Sequence, residues 1–383
     1  MLKAFKYRLY PNREQTAKLN QTLDTCRALY NACLEQRRTA YRQQHKSISA
    51  SQQSAELPDL KRELPEVGEV YAQVLQDVVW RADTTFQNFF RRVKSRNGKA
   101  GYPRFQGRNR YNSFCYPQAN KYGVKLIANR LHLTKIGNIK IKLHRPIEGK
   151  VKTCTLRRDV DEWYAVFACE LPEPEPLEPR SAIGIDVGIE SFLATSDGEF
   201  VENPRLLDQS LAKLRRAQRS LTRKKRGSQN RAKARLRVAK QHRAIRRQRL
   251  DFQHKVARNL VDRYDMIAIE DLNVSGLVKN PKLARHISDV GWSGFADILA
   301  GKAAYAGQRV VRVNPDYTSQ VCSDCGCIVS KELSERWHSC PDCGLSLHRD
   351  VNAARNILKA AGTQPLGSNV EVRNSGVAQE AHA

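Results

Sequence analysis

The chain has 383 residues, 40% of them hydrophobic, so it is long enough to build two or three domains with hydrophobic cores. Its 66 Lys and Arg residues outnumber 39 Asp and Glu, and the net charge of +27 favours a nucleic-acid partner over a membrane surface. No stretch approaches the roughly 18 apolar residues of a spanning helix, and the N-terminus lacks an apolar signal core. We therefore expect an intracellular protein without membrane contact.

The first hundred residues predict one strand followed by a helical unit. Residues 4–10 alternate apolar and basic side chains, a pattern typical of a half-buried strand. Asn12 and Gln15 form a capping-box start for a helix. Residues 44–56 are polar and indicate a connection, and a second helix is expected over residues 67–93. The apolar stripe of the first helix consists of Leu19, Leu23, Cys26, Tyr30 and Cys33.

From about residue 113 to residue 170 the apolar period changes to two, which predicts a β domain, a small barrel. The first strand of the chain is expected to pair with this barrel, so that the helical unit becomes an insertion. A stiff Pro- and Glu-rich segment, residues 170–179, marks the main domain boundary. The candidate strands are 113–117, 123–126, 130–134, 138–143, 151–158 and 163–170.

The C-terminal half begins with an apolar strand, residues 182–186, and a hairpin through residues 192–201. Residues 209–250 contain 17 Lys or Arg and no acidic residue, and they predict two helices broken near Gly227. So many like charges would repel strongly unless they bound a polyanion, so we expect phosphate contacts here. Further elements are a strand at 266–270, a helix capped by Asp289 and ending near Gly307, a strand at 310–313 and a helix from 350 to about 360.

Two C-x2-C pairs, separated by fourteen residues, form a metal-binding pattern. Four thiolates at this spacing suit one structural zinc ion and leave no open position for catalysis. Cys327 is a spare thiol that could rival Cys325. His338 and His348 could also compete for the metal, but we expect them at the surface or in contact with nucleic acid. The expected zinc ligands are Cys322, Cys325, Cys340 and Cys343.

Three carboxylates form a second candidate site: Asp186, Glu270 and Asp350. Each alone has an ordinary interpretation as a turn cap, a strand-end charge or a helix N-cap. Together they would repel one another at the edge of a sheet, and two Mg²⁺ ions would resolve that repulsion. Two metal ions at one site can promote the hydrolysis of phosphodiester bonds. The order strand–acid–hairpin, strand–acid, acid-on-helix is that expected of an RNase H-like nuclease.

Several motifs extend this interpretation over nearly the whole chain. They are residues 5–11 (FKYRLYP), 102–105 (YPRF), 113–118 (SFCYPQ), 184–188 (GIDVG), 269–273 (IEDLN), 349–356 (RDVNAARN) and the four cysteines. With these motifs the chain resembles the TnpB (OrfB) family of transposon-encoded RNA-guided DNA endonucleases, which is related to the small type V CRISPR effectors.

The resemblance implies an α+β multidomain architecture. A wedge-type β-barrel would contain an inserted helical recognition domain, and an RNase H-like (RuvC) α/β nuclease domain with an inserted zinc ribbon would follow. The implied boundaries are 1–10 for the first barrel strand, 11–105 for the helical domain with its helix-turn-helix-like start, 106–175 for the barrel, 176–320 and 348–363 for the nuclease domain, 321–347 for the ribbon and 364–383 for a disordered tail.

The resemblance also implies a function. Asp186, Glu270 and Asp350 would bind two catalytic Mg²⁺ ions, and the ribbon would bind one Zn²⁺. A monomeric protein would bind a guide RNA, recognise a short motif beside the target and cleave complementary double-stranded DNA, in a prokaryotic cytoplasm and near the nucleoid. The alternative is an RNA-guided repressor that binds DNA without cutting, and the intact acids argue against it. A strand-joining transposase is a third, weaker alternative.

Two surfaces are candidates for nucleic-acid contact. By resemblance, the target-adjacent motif would be read between residues 73–76 and 116–120, where Gln can pair with adenine edges and Tyr can pack on a base. The acid-free segment would bind phosphates without reading sequence. The candidate contact residues are Gln76, Tyr116, Gln118, Arg223, Lys224, Lys225, Arg226, Arg246 and Arg247.

Overall fold

The structure is a computed structural model that describes residues 1–95, 100–332 and 334–362. It divides into two compact units, Met1–Pro172 and a second unit that starts at Glu173. The division lies in the Pro- and Glu-rich segment. The tail expected at residues 364–383 lies outside the described residues.

The first unit contains a seven-stranded antiparallel sheet in the order β2-β6-β7-β1-β5-β4-β3. The N-terminal strand lies between β7 and β5, as the sequence predicts, and its alternating Phe5, Tyr7 and Leu9 are buried. In the described part of the chain, β2 and β3 remain outer strands, so hydrogen bonds do not close the expected barrel. The strands are β1 Leu2–Tyr10, β2 Ser113–Tyr116, β3 Val124–Ile127, β4 Arg130–Leu133, β5 Gly137–Lys142, β6 Lys150–Asp159 and β7 Glu162–Glu170.

Among the residues that the structure describes, five helices accompany this sheet. Asn12 and Gln15 form the predicted capping box, and the long helix that follows buries its apolar stripe. Two expectations are wrong: residues 44–56 contain a helix capped by Ser49, and the helix expected from residue 67 is divided. The expected helix is interrupted at residues 69–71, between α4 and α5. Leu64 is extended before Pro65, as residues preceding proline tend to be, and this separates α4 from α3. The helices are α1 Arg13–Gln44, α2 Ala50–Ala55, α3 Leu57–Glu63, α4 Pro65–Gly68 and α5 Ala72–Ser95.

The second unit is built on a five-stranded sheet in the order β10-β9-β8-β11-β12. Its three apolar strands β8, β11 and β12 are parallel, which is consistent with burial on both faces. A separate two-stranded ribbon pairs β13 with β14. The strands are β8 Ala182–Val187, β9 Ser191–Thr195, β10 Phe200–Glu202, β11 Met266–Glu270, β12 Arg309–Val313, β13 Trp337–Ser339 and β14 Ser346–His348.

The helices of the second unit include the two that the basic segment predicts, with the break at Gly227, whose φ is +83°. Asp289 does not cap a helix as expected: it lies inside α9, and its carboxylate binds Arg249 and the Leu207 N–H. No helix of the described residues is long and apolar enough to cross a membrane. The helices are α6 Leu206–Thr222, α7 Gln229–Arg263, α8 Val274–Leu277, α9 Ala284–Val290, α10 Trp292–Tyr305 and α11 Arg349–Gly362.

Candidate active site and metal centre

Strand alternation brings two of the predicted acids to one face of the second sheet. The strands β8 and β11 are parallel neighbours with Ile185 opposite Ile269, so Asp186 and Glu270 follow at adjacent carboxyl ends. Successive side chains of a strand point to opposite faces, so both acids lie on the face away from the core that α7 and α10 cover. The strand residues buried in that core are Ile183, Ile185, Ile267 and Ile269.

Helix α11 covers the acidic face and carries the third acid. Its Ile357 and Ala361 form a small core with Ala268 of β11 and with β12. Against β8 the helix approaches so closely that a Cβ on Gly184 would lie 2.0 Å from the Ala354 carbonyl oxygen. Asp350 lies in the first turn of α11. The structure therefore brings all three predicted acids, hereafter the acid triad, to one place.

Without bound cations, burial and mutual repulsion make ionisation of the triad carboxyl groups unfavourable. Burial raises the pKa of Asp186 well above its usual range, and the negative charges of Glu270 and Asp350 raise it further. Burial also raises the pKa of Glu270, against a hydrogen bond from Thr318. Each acid is nevertheless partly exposed. A cation would relieve both the desolvation and the repulsion.

The acids are spaced more widely than ligands of a single ion. Among the described residues, only one group of three or more His, Cys, Asp or Glu residues has ligand atoms that all lie within 4.8 Å of one another. This group consists of cysteines and does not include the triad. Asp186 is the acid whose pKa responds to both of the others.

The sequence interpretation missed Thr318. Its side chain is buried, and its hydroxyl donates to Glu270 Oε1 at 2.5 Å. Thr318 lies in the irregular segment after β12, where no period or motif identifies it. Asn352 and Asn356 enter the sequence interpretation only as part of a motif. Their four-residue spacing on one face of a helix was a usable signal for a shared role.

The four predicted cysteine ligands form one cluster, hereafter the cysteine cluster: Cys322, Cys325, Cys340 and Cys343. The Sγ atoms of Cys322 and Cys343 are 3.6 Å apart, and those of Cys325 and Cys340 are 3.5 Å apart. A tetrahedral zinc ion with Zn–S bonds of about 2.3 Å separates its sulfurs by about 3.8 Å. The residues therefore fit zinc with only slight expansion.

Backbone geometry prepares this cluster for a metal. Gly326 and Gly344 follow the two cysteine pairs with φ of +83° and +73°, a conformation that glycine adopts without strain. The N–H of Cys343 and other backbone donors lower the pKa of Cys340 to about 7. Thiolate is the form that binds a metal, so these donors favour the ligand state of Cys340.

The neighbouring His and Cys residues differ in their placement. His338 was expected at the surface, but it is completely buried, and its Nδ1 contacts the Lys331 ammonium. The ring is therefore part of the core beside the cluster. His348 is half-buried, and its Nδ1 accepts the Asp350 N–H at 3.2 Å. Cys327 lies outside the cluster, and its carbonyl accepts the Cys322 N–H at 2.8 Å.

The candidate nucleic-acid residues divide into exposed and buried groups. The basic residues 223–226 form an exposed turn between α6 and α7, and Arg246 and Arg247 lie on α7. Gln76 is exposed, and Gln118 accepts a hydrogen bond from Gln73 at 3.0 Å. Tyr116 contradicts its expected contact with a base, because it is 1% exposed and its hydroxyl donates to the Thr134 carbonyl.

Comparison with known proteins identifies the family. A protein of Streptomyces pristinaespiralis named "Putative RNA-guided DNA endonuclease" is 36% identical over 99% of this chain and 96% of its own length. The chain belongs to the TnpB (OrfB) family. A similarly named protein of Escherichia coli K12, InsQ, is 31% identical over 94% of this chain and 92% of its own length.

Family models and solved structures agree with this membership. Models match at residues 166–281 (OrfB of IS605, "Probable transposase"), 292–357 ("Cas12f1-like, TNB domain") and 1–46 ("Helix-turn-helix domain"). The fold is similar to Cas12f1 in a complex with sgRNA and target DNA, with a TM-score of 0.57, 14% identity and coverage of 93% and 98%. It is also similar to the mini-RNA-guided endonuclease Cas_phi3, with a TM-score of 0.51, 9% identity and coverage of 95% and 93%. The α+β class is thus confirmed.

Proposed function

We propose that this protein is an RNA-guided DNA endonuclease that hydrolyses phosphodiester bonds of a guide-complementary target at the acid triad. The observation that carries the proposal is the convergence of Asp186, Glu270 and Asp350 on one sheet face, where their charges raise the pKa of Asp186. Family membership supports the same activity, because relatives similar over nearly the whole chain are named for it.

The triad offers the ligands that two Mg²⁺ ions prefer, namely carboxylate oxygens. When bound, such an ion pair supplies an activated water and stabilises the charge on the leaving oxygen. Asp186, Glu270 and Asp350 would hold these ions together, because the charges of Glu270 and Asp350 both act on Asp186. Partial exposure of all three keeps them accessible to ions from solvent.

The domain architecture proposed for this activity follows the family resemblance. Residues 1–10 and 106–175 would form the wedge domain around a helical recognition domain, and residues 176–320 and 348–363 a RuvC nuclease domain. The cysteine cluster would hold one structural zinc in a ribbon at residues 321–347. Four thiolates complete the zinc coordination, so this ion would shape the chain and take no part in the chemistry.

Two surfaces would bind nucleic acid. The exposed turn at residues 223–226, together with Arg246 and Arg247 on α7, would neutralise phosphates of the guide RNA or of its hybrid with the target. Gln76 and Gln118 offer exposed amides that can pair with base edges in a target-adjacent motif. Tyr116 would support this second surface from the core by stacking on Tyr71, with ring centroids 5.6 Å apart.

The test is cleavage by the ribonucleoprotein purified with RNA expressed from DNA downstream of the gene. Its guide end is reprogrammed, and the target is flanked by randomised bases. The wild-type protein should cut targets with one short flanking motif, only with Mg²⁺ present. Glu270→Gln and Asp186→Ala should abolish cutting and keep target binding. Asp271→Asn is the matched control, because this adjacent acid is exposed and pairs with Arg312 at 3.3 Å.

Metal-dependent cutting by Asp186→Ala would overturn the site assignment. Target occupancy without cutting by the wild type would instead support an RNA-guided DNA-binding repressor. Strand-transfer products would point to a transposase.

A further inference from the structure

Two asparagines on α11 form hydrogen bonds with the irregular segment at residues 318–323, which leads into the first cysteine pair. Asn352 is completely buried, and its Oδ1 accepts the Ser323 N–H at 2.8 Å while its Nδ2 donates to the Val321 carbonyl at 2.7 Å. Asn356 Nδ2 donates to the same carbonyl at 2.7 Å and to the Thr318 carbonyl at 2.8 Å. Buried amides normally require such partners, and these fix residues 318–323 to the helix.

The two ends of this segment reach different sites. Ser323 lies inside the first cysteine pair, and Thr318 donates its hydroxyl to Glu270. Asp350 lies at the start of the same helix, α11. Helix α11 therefore carries Asp350, one acid of the triad. Through Asn356 it also holds Thr318, whose hydroxyl donates to Glu270, a second acid of the triad.

The Thr318 hydroxyl has one proton and two acceptors within reach. Glu270 Oε1 is 2.5 Å away, and the Pro315 carbonyl is 3.1 Å away. The shorter contact is to a charged group, and such hydrogen bonds are roughly twice as strong as neutral ones. Engaging Oε1 fixes the rotation of the carboxylate and leaves Oε2 for a cation.

We propose that Thr318 is a positioning residue that orients Glu270 for divalent-cation binding, and that Asn356 holds Thr318 in place. This inference rests on the proposed function, because it assigns a supporting role at the same site. Thr318 does not itself touch the ions or the phosphate. Without its hydroxyl, Glu270 must be ordered by the cation at the moment of binding, and affinity falls accordingly.

The test compares three variants of the full zinc-loaded chain. Thr318→Val removes the hydroxyl, and Thr318→Ser retains it. If valine disturbs folding, Thr318→Ala is used in place of Thr318→Val. Titration calorimetry with Mn²⁺ on the protein without RNA measures cation affinity independently of cleavage. Zinc content and melting temperature check the surrounding structure.

We expect Thr318→Val to weaken Mn²⁺ binding about tenfold, in line with the loss of one charge-assisted hydrogen bond. It should also raise the Mg²⁺ concentration for half-maximal cutting, and Thr318→Ser should restore both values. Equal Mn²⁺ affinity in wild type and Thr318→Val would overturn this inference alone. Mn²⁺ affinity that is unchanged by Asp186→Ala would instead count against the proposed active site.

Discussion

A single methyl group at Gly184 should separate the acid triad without unfolding the protein. Gly184 lies two residues before Asp186 on the same face of β8. Helix α11 packs against it through Ala354, which lies one helical turn after Asp350. Gly184→Ala therefore acts as a wedge beneath the helix that carries the third acid.

The size of the displacement follows from the contact. The new Cβ would lie 2.0 Å from the Ala354 carbonyl oxygen and 2.9 Å from Leu358 Cβ. Carbon and oxygen atoms tolerate an approach of about 3.3 Å, so backbone must move by about 1.3 Å. Overpacking of this kind costs about 1–3 kcal/mol of folding free energy. A misplacement of about 1 Å can reduce the rate of a positioned reaction about 100-fold.

The assay is single-turnover cleavage of target DNA at saturating Mg²⁺, paired with thermal unfolding. Gly301→Ala is the control, because that glycine lies in α10 with no atom near its added Cβ. We expect Gly184→Ala to fold, bind target and cut about 100-fold more slowly, whereas Gly301→Ala cuts at the wild-type rate. Wild-type cutting by a folded Gly184→Ala protein would refute the argument that α11 sets the position of Asp350.

Two further predictions concern the charges of the sites. Since the pKa of Asp186 is raised in the folded protein, ionisation destabilises the cation-free fold as pH rises above the unfolded value. Asp186→Asn should thus raise the free energy of unfolding in Mg²⁺-free buffer at neutral pH, by about 1.4 kcal/mol per pKa unit relieved, with no gain near pH 3. An equal gain at both pH values would contradict this. The Cys340→Ser protein should lose bound zinc and melt at a lower temperature. The control Cys169→Ser, in the first unit, should retain zinc. Full zinc content in the Cys340→Ser protein would exclude the cluster as the zinc site.

Local periodicity was sufficient for much of the fold. The alternation in residues 4–10 and 113–170 predicted strands that the structure confirms, because a strand that buries one face must repeat every two residues. The same rule places Asp186 and Glu270 on a shared face once their strands are neighbours. Their pairing, and the approach of α11, depend on contacts distant in the chain.

Two of the expectations that were wrong concern polar residues whose partners the sequence does not identify. Asp289 looks like a helix cap, but its partners Arg249 and Leu207 come from α7 and α6. His338 looks like a surface residue, yet the fold buries it beside Lys331. The sequence does not show whether a polar residue is buried, because its burial is favourable only when tertiary structure provides hydrogen-bond or charge partners.

The position of the cysteine cluster next to the third acid has a physical rationale. Repulsion between Asp350 and Asp186 works against the packing of α11 on the sheet. Apolar contacts at Ile357 and Ala361 hold the C-terminal half of the helix, away from the acids. Near the acids, Ala354 packs against Gly184, and Asn352 holds the backbone of the first cysteine pair at Ser323. A metal at the cysteines would make that backbone rigid, and it would thereby anchor the end of α11 that the charges tend to displace.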